Sequence, residues 1–187
     1  MKRLIFTSIL ALFFVTGYSG AQVEKIVNGD FEAATTDPWT LEQDAPATCT
    51  LEASTVSPIS GTKSGHVTVT ATSTTAYFLQ LIQAFGMEAN KKYVLSYKVK
   101  ASADVAITTY IQENHSPYGG KYSKDINLTT TAQTFKDSLN IYSADPQIKL
   151  AWFFGTLAVG TELWFDDVSI VESDLPISTD VSPIKAP

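Results

Sequence analysis

The stretch YVLSYKVK, Tyr93 to Lys100, decides the fold class. Successive side chains of an extended strand point to opposite sides. Tyr93, Leu95, Tyr97 and Val99 therefore share one face, and Val94, Ser96, Lys98 and Lys100 share the other. The same two-residue period recurs along the chain. HVTVTAT, residues 66–72, alternates valine with threonine. VAITTYIQE, residues 105–113, sets Val105, Ile107 and Ile111 against Ala106, Thr108, Tyr110 and Gln112. QIKLAWFFG, residues 147–155, sets Ile148, Leu150, Trp152 and Phe154 against Lys149, Ala151 and Phe153, and LWFDDVSIV, residues 163–171, closes the series. Gly, Pro, Asn, Asp and Ser separate these segments, and no segment reads as a long amphipathic helix. Roughly eight to ten short strands in one domain-sized chain predict an all-β fold, an antiparallel β-sandwich. The strands are apolar on one face and mixed on the other, and the mixed face is where function is sought.

The two ends of the chain differ from this pattern. Lys2 and Arg3 precede an almost unbroken apolar run from Leu4 to Val15, and Ser19-Gly20-Ala21 places small residues at a cleavage position. That run is too short to span a bilayer, so residues 1–21 read as a cleaved signal peptide rather than an anchor. The expected product is secreted: extracellular, periplasmic or at a cell surface, without membrane insertion. The sandwich is assigned to residues 22–172, and residues 173–187, rich in Pro, Ser, Thr and Asp without periodicity, read as a flexible linker or tail.

Charge narrows the partners. The full chain carries a formal net charge of −6, which grows more negative once Lys2 and Arg3 are removed. Arg3 is the only arginine, so no bidentate phosphate site survives processing. Nucleic acid is not an expected partner, because such binding leans on basic patches. The one cysteine, Cys49, has no disulfide partner and reads as a small buried apolar residue.

Four segments then carry a family likeness, in this order: VNGDFE at residues 27–32, SGTKSGHVTVT at 60–70, KKYVLSYKVKAS at 91–102 and WFDDVSI at 164–170. Together they resemble the secreted carbohydrate-binding modules of families four, nine, sixteen and twenty-two, across about residues 24–172. The resemblance implies a galactose-binding-like jelly roll, a glycan-binding groove or concave face, frequently a structural calcium ion, and no catalysis. One departure stands at Gln133, about where relatives often carry a tryptophan.

Calcium takes six to eight hard oxygen ligands. Carried over from the resemblance, Glu32 and Asp166 would supply carboxylates, Lys63 its backbone carbonyl, and Asp30 a weaker addition. Such an ion would join the first and last strands and relieve the repulsion between Glu32 and Asp166. In this reading NGDFE opens the first strand, with Phe31 turned into the core. The alternative leaves Asp166 and Asp167 capping an exposed edge and Glu32 solvated.

Sugars present C–H faces and hydroxyl rims, which proteins meet with aromatic rings flanked by a few placed polar groups. Tyr110 and Gln112 lie on the mixed face of their strand and are the leading pair. Tyr118 and Tyr122 lie in the Gly-rich NHSPYGGKYSKD, and Tyr77 with Gln80 or Gln83 in TTAYFLQLIQAFG. Trp39 has two readings, a further ring for the ligand or a plug at the sandwich end. Trp152, Tyr97 and Tyr93 fall on apolar faces and read as core.

Catalysis finds no support in the pattern. His66 and His115 make no HExxH site, there is no GxSxG elbow, and adjacent Asp166 and Asp167 should point to opposite faces. The expected function is a non-catalytic module recognising a polysaccharide of β-glycan or xylan type, tethering an appended or partner glycoside hydrolase. The competing expectation is a structural or adhesive cell-surface β-sandwich without sugar binding.

Overall fold

The computed structural model describes residues 22–173. The predicted signal peptide and all of the tail beyond Ser173 lie outside the described residues. Ten strands form in chain order: β1 (Thr40–Gln43), β2 (Thr48–Ser54), β3 (Ser64–Ala71), β4 (Leu79–Met87), β5 (Lys91–Ala101), β6 (Val105–Glu113), β7 (Gly120–Leu128), β8 (Gln133–Ile141), β9 (Asp145–Phe153) and β10 (Glu162–Ser173). A single 3-10 turn, Ala76–Phe78, precedes β4. No described helix is long and apolar enough to cross a membrane.

The strands pair into two five-stranded sheets, one in the order β1-β4-β9-β6-β7 and the other β2-β3-β10-β5-β8. Every paired neighbour is antiparallel. The predicted all-β sandwich is therefore what forms. The alternation that decided it is visible in β5, where Tyr93, Leu95, Tyr97 and Val99 are buried and the residues between them are half-buried. Burying such a face removes roughly 25 cal/mol per Å² of apolar surface cost, and this is the main force closing the two sheets.

Trp152 sits at the centre of the core. Its ring lies edge-on to Tyr97 at 5.3 Å and tilted against Phe165 at 4.6 Å. Tyr97, from one sheet, shares a 2.6 Å hydrogen bond with Thr109 of the other, so the buried phenol is satisfied across the sandwich. Cys49 is buried, as expected, and burial pushes its thiol up to about 11.

The opening segment departs from expectation. NGDFE is a turn, not a strand: Asn28 and Phe31 both take left-handed φ values, 52° and 54°, which interrupt an extended chain. The segment meets β10 where the Val168 amide donates to the Gly29 carbonyl at 2.9 Å, and the chain before it forms the isolated bridge of Glu24 with Val171. Phe31 still reaches the core, fully buried and stacked on Trp39 at 5.4 Å. At the other end, Asp167 also has positive φ, 47°, and the β10–β5 register slips between Asp166 and Ser169. This bulge moves the inward set of β10 from Leu163 and Phe165 to Val168 and Ile170. Asp166, before the slip, is buried under the loop that carries Ser60 and Ser64, and Asp167 is exposed.

Candidate functional site: a cavity on the outer face of one sheet

The outer face of the β1-β4-β9-β6-β7 sheet carries the mixed residues of each strand. In register, Glu42 of β1 opposes Gln80 of β4, and Gln80 opposes Phe153 of β9. Gln112 of β6 opposes Lys149 of β9, and Tyr110 stacks diagonally on Phe153 at 5.1 Å with planes 28° apart. Tyr77, on the 3-10 turn, meets the same Phe153 edge-on at 6.5 Å. The three rings form one aromatic floor, and Gly120 lets the Tyr110 phenol lie close against β7, where a Cβ would come within 2.4 Å of the hydroxyl.

These residues line a cavity of about 690 Å³, completed by Asp44, Asn114 and Tyr118. That volume falls in the usual range for small-ligand sites, about 300–1,000 Å³. The loop bearing Asn114 and Tyr118 is tied down at its base. Glu113 accepts from the Gly119 amide at 3.1 Å and pairs with Lys121 at 2.8 Å. The Asn114 amide donates to the Gln147 carbonyl at 2.6 Å and the Tyr118 amide to the His115 carbonyl at 2.7 Å. A rim held this way costs a ligand little ordering.

The polar groups of the cavity divide into spent and unspent. Lys149, buried, pairs with Glu42 at 2.5 Å. The Gln80 amide nitrogen donates to the Tyr77 carbonyl at 2.8 Å, while its buried Oε1 has no partner. An unpaired buried acceptor is costly.

Five of the seven predicted sugar-face residues meet here: Tyr77, Gln80, Tyr110, Gln112 and Tyr118. Two do not. Trp39 is 2% exposed, sandwiched between Phe31 and Trp152, and donates its indole N–H to the Asn28 carbonyl at 2.9 Å. It is the plug. Tyr122 pairs with Ile111, so it shares that residue's inward side, and its hydroxyl donates to Asp137 of the opposite sheet at 2.9 Å. The choice between Gln80 and Gln83 follows from parity: Gln83 lies with Leu79 and Leu81 and binds both the amide and carbonyl of Val27. Sequence reasoning missed Glu42, Asp44, Asn114, Lys149 and Phe153. Lys149 and Phe153 were legible, since both lie on the mixed face of QIKLAWFFG.

The predicted metal residues cluster around the loop 60–64. Glu32 accepts from the Thr62 amide at 2.6 Å, the Lys63 amide at 3.0 Å and the Thr62 hydroxyl. These donors, the Thr62 hydroxyl foremost, hold its carboxyl below the usual range. Asp166 accepts from the Ser60 amide at 2.9 Å, the Ser64 hydroxyl at 2.7 Å and the Asp167 amide at 2.8 Å. Burial pushes Asp166 up, against these hydrogen bonds. The loop is thus stitched to both ends of the domain by protein donors. Asp30 caps the Glu32 amide at 3.3 Å, and the Lys63 ammonium donates to the Glu32 and Ala33 carbonyls at 3.1 and 2.8 Å. Among the described residues Glu113, His115 and Asp145 bring two carboxylate oxygens and an imidazole nitrogen within 4.8 Å of one another, whereas Glu32, Asp30 and Asp166 do not gather their ligand atoms so closely. A hard cation nevertheless fits the chemistry of Glu32 and Asp166, since Asp166 is a buried carboxylate held by neutral donors alone.

A profile of the carbohydrate binding domain family matches residues 23–157. The chain belongs to that family. A search of curated proteins returned no match. Among solved structures, a module described as "CBM4 structure and function" superposes with a TM-score of 0.68 at 25% identity, covering 79% of this chain and 99% of its own. The N-terminal cellulose-binding domain of Cellulomonas fimi β-1,4-glucanase C shares the fold, with a TM-score of 0.59 at 21% identity over 82% of this chain and 100% of its own. So does TmCBM61, solved with β-1,4-galactotriose, with a TM-score of 0.60 at 18% identity over 81% and 99% of the two chains. The carbohydrate-binding family thus follows from the profile, and the jelly-roll fold from the superpositions.

Proposed function

We propose that this module is secreted, is itself non-catalytic, and binds a polysaccharide chain of β-glycan or xylan type in the cavity on the β1-β4-β9-β6-β7 face. The observation that carries this reading is the convergence of Tyr77, Tyr110, Phe153 and Tyr118 with Gln80 and Gln112 around one 690 Å³ cavity. The rings offer apolar faces to sugar C–H groups, and the amides meet the hydroxyl rim. The bound stretch of glycan would hold an appended or partner glycoside hydrolase near its substrate, raising effective concentration. Glu42 and Asp44, the two carboxylates of the cavity, come from one short stretch of chain, whereas glycosidases set their pair on either side of the scissile bond.

A calcium ion is proposed at the loop 60–64, held by Glu32, Asp166 and the Lys63 carbonyl. Its role would be structural, offsetting the buried Asp166 charge.

Native affinity electrophoresis against soluble β-glucan, xylan, arabinan and galactan tests the sugar-binding reading. Retardation by at least one polymer is expected. Folded protein retarded by none would remove the reading and favour an adhesive β-sandwich.

A further inference from the structure

The floor of the cavity holds an ion pair that contributes nothing to ring stacking. Lys149 lies on the outer face of β9 with only 3% of its surface exposed, and its ammonium meets one oxygen of Glu42 at 2.5 Å. The Glu42 side chain is 40% exposed and opens to the cavity. Asp44 lines the same space, and among the described residues its side chain has no cationic partner. The cavity therefore holds two negative groups and one positive group, and the positive group is already matched. No arginine is available among the described residues, because Arg3 is the only one in the chain. Of the lysines in the rim hairpin, Lys121 is committed to Glu113 at 2.8 Å and Lys124 to Asp137 at 2.9 Å.

Resting on the sugar-binding reading above, we propose that Glu42 is the specificity-determining residue of the cavity: by cancelling the buried Lys149 ammonium it makes the site accept uncharged sugar units and reject uronate-bearing ones. A sugar carboxylate entering the cavity meets Glu42 and Asp44 and finds no free cation. Like charges juxtaposed in a partly desolvated site discriminate strongly between ligands of otherwise similar shape. An unpaired lysine at the same place would do the opposite, drawing carboxylated sugars to the floor. Glu42 thus acts through Lys149 as well as by its own charge.

The test uses the full chain and polymers matched in backbone: glucuronoxylan and polygalacturonate, each against its carboxyl-reduced form, and carboxymethylcellulose against hydroxyethylcellulose. Isothermal titration should give at least tenfold weaker binding to the charged member of any pair whose neutral member binds. Raising sodium chloride from 20 mM to 500 mM, a range of roughly 20 Å to 4 Å in screening length, should narrow that gap. Glu42→Gln should narrow or reverse it by tenfold or more. Removing one partner of a buried pair can prevent folding, so Asp44→Asn, which leaves the pair intact, is measured beside it and should shift the gap in the same direction by a smaller factor. Equal or tighter binding to the charged polymers overturns the inference while leaving sugar binding in place. A gap that salt and Asp44→Asn both leave unchanged overturns it too, since rejection would then be steric. Binding to none of the six polymers by folded protein overturns the sugar-binding reading itself, and this inference with it.

Discussion

Tyr110 of β6 stacks on Phe153 of β9, ring centroids 5.1 Å apart, and the couple forms the centre of the aromatic floor. A stacked pair is worth about 0.5–1.5 kcal/mol beyond the area it buries. Tyr110 is half-buried, so Tyr110→Ala loses the stacking and part of that buried area and is expected to lower stability by about 1–3 kcal/mol, a shift of several degrees in the melt. Glycan affinity should fall about tenfold or more, at about 1.4 kcal/mol per tenfold. Titration calorimetry and a thermal melt on the same variant separate the two. A loss of several kcal/mol in stability would instead place Tyr110 in the core.

Trp39 predicts the reverse. It lies between Phe31 and Trp152 at 5.4 and 5.8 Å and is fully buried. Trp39→Ala should cost about 3–5 kcal/mol, the range for aromatic truncation in a packed core. Urea unfolding reads this as a lower midpoint with an unchanged slope.

Gly65 of β3 packs beneath Phe31. A Cβ there would come within 2.4 Å of the ring, closer than real contacts allow. Gly65→Ala should destabilise by about 1–3 kcal/mol through overpacking. Reducing the ring with Phe31→Leu should partly rescue it in the double variant, and additive losses would refute the contact.

The His115–Asp145 pair, 3.1 Å apart, sits beside the rim loop. The Ser116 carbonyl and the Asp145 carboxylate raise His115 above 6.5, and the Gln147 amide, then His115, lower Asp145 below 3.8. The folded state thus favours protonated His115. Its contribution is fully present below the unfolded imidazole value and fades as pH rises through the higher folded value. The Asp145 contribution is present above the unfolded carboxyl value and is lost as pH falls through the lower folded one. NMR titration of the imidazole ring should place His115 above the ordinary histidine value, and Asp145→Asn should bring it down.

Removing divalent cations with EDTA should lower the melting temperature, and excess calcium should restore it, with Asp166→Asn weakening the response. An unchanged melt would mean that the hydrogen bonds of Glu32 and Asp166 to the loop 60–64 suffice.

The period-two alternation in β5, β6 and β9 was enough to read which residues enter the core, because side-chain direction in a strand is set locally. Tyr110 and Gln112 were legible for the same reason, as were Lys149 and Phe153 on the neighbouring strand. Parity also explains Gln80 over Gln83. Where the backbone leaves the extended region, parity fails: the left-handed Asn28 and Phe31 turned an expected strand into a turn, and the bulge at Asp167 moved the inward set from Leu163 and Phe165 to Val168 and Ile170.

Pairing across the sheet was not legible, because it joins residues far apart in the chain. Glu42 reaches Lys149 across 107 positions, and only the β1-β4-β9 order brings a glutamate from the first strand onto a lysine of the ninth. Tyr122 was misplaced for a related reason, since its register with Ile111 is set past an irregularity between Ile111 and Gln112. Local chemistry thus determined a β-sandwich with aromatic and amide groups on one outer face. Long-range register decided which of them share a cavity and which charges stand on its floor, because strand order and pairing are selected by burying both sheets together rather than by any one segment.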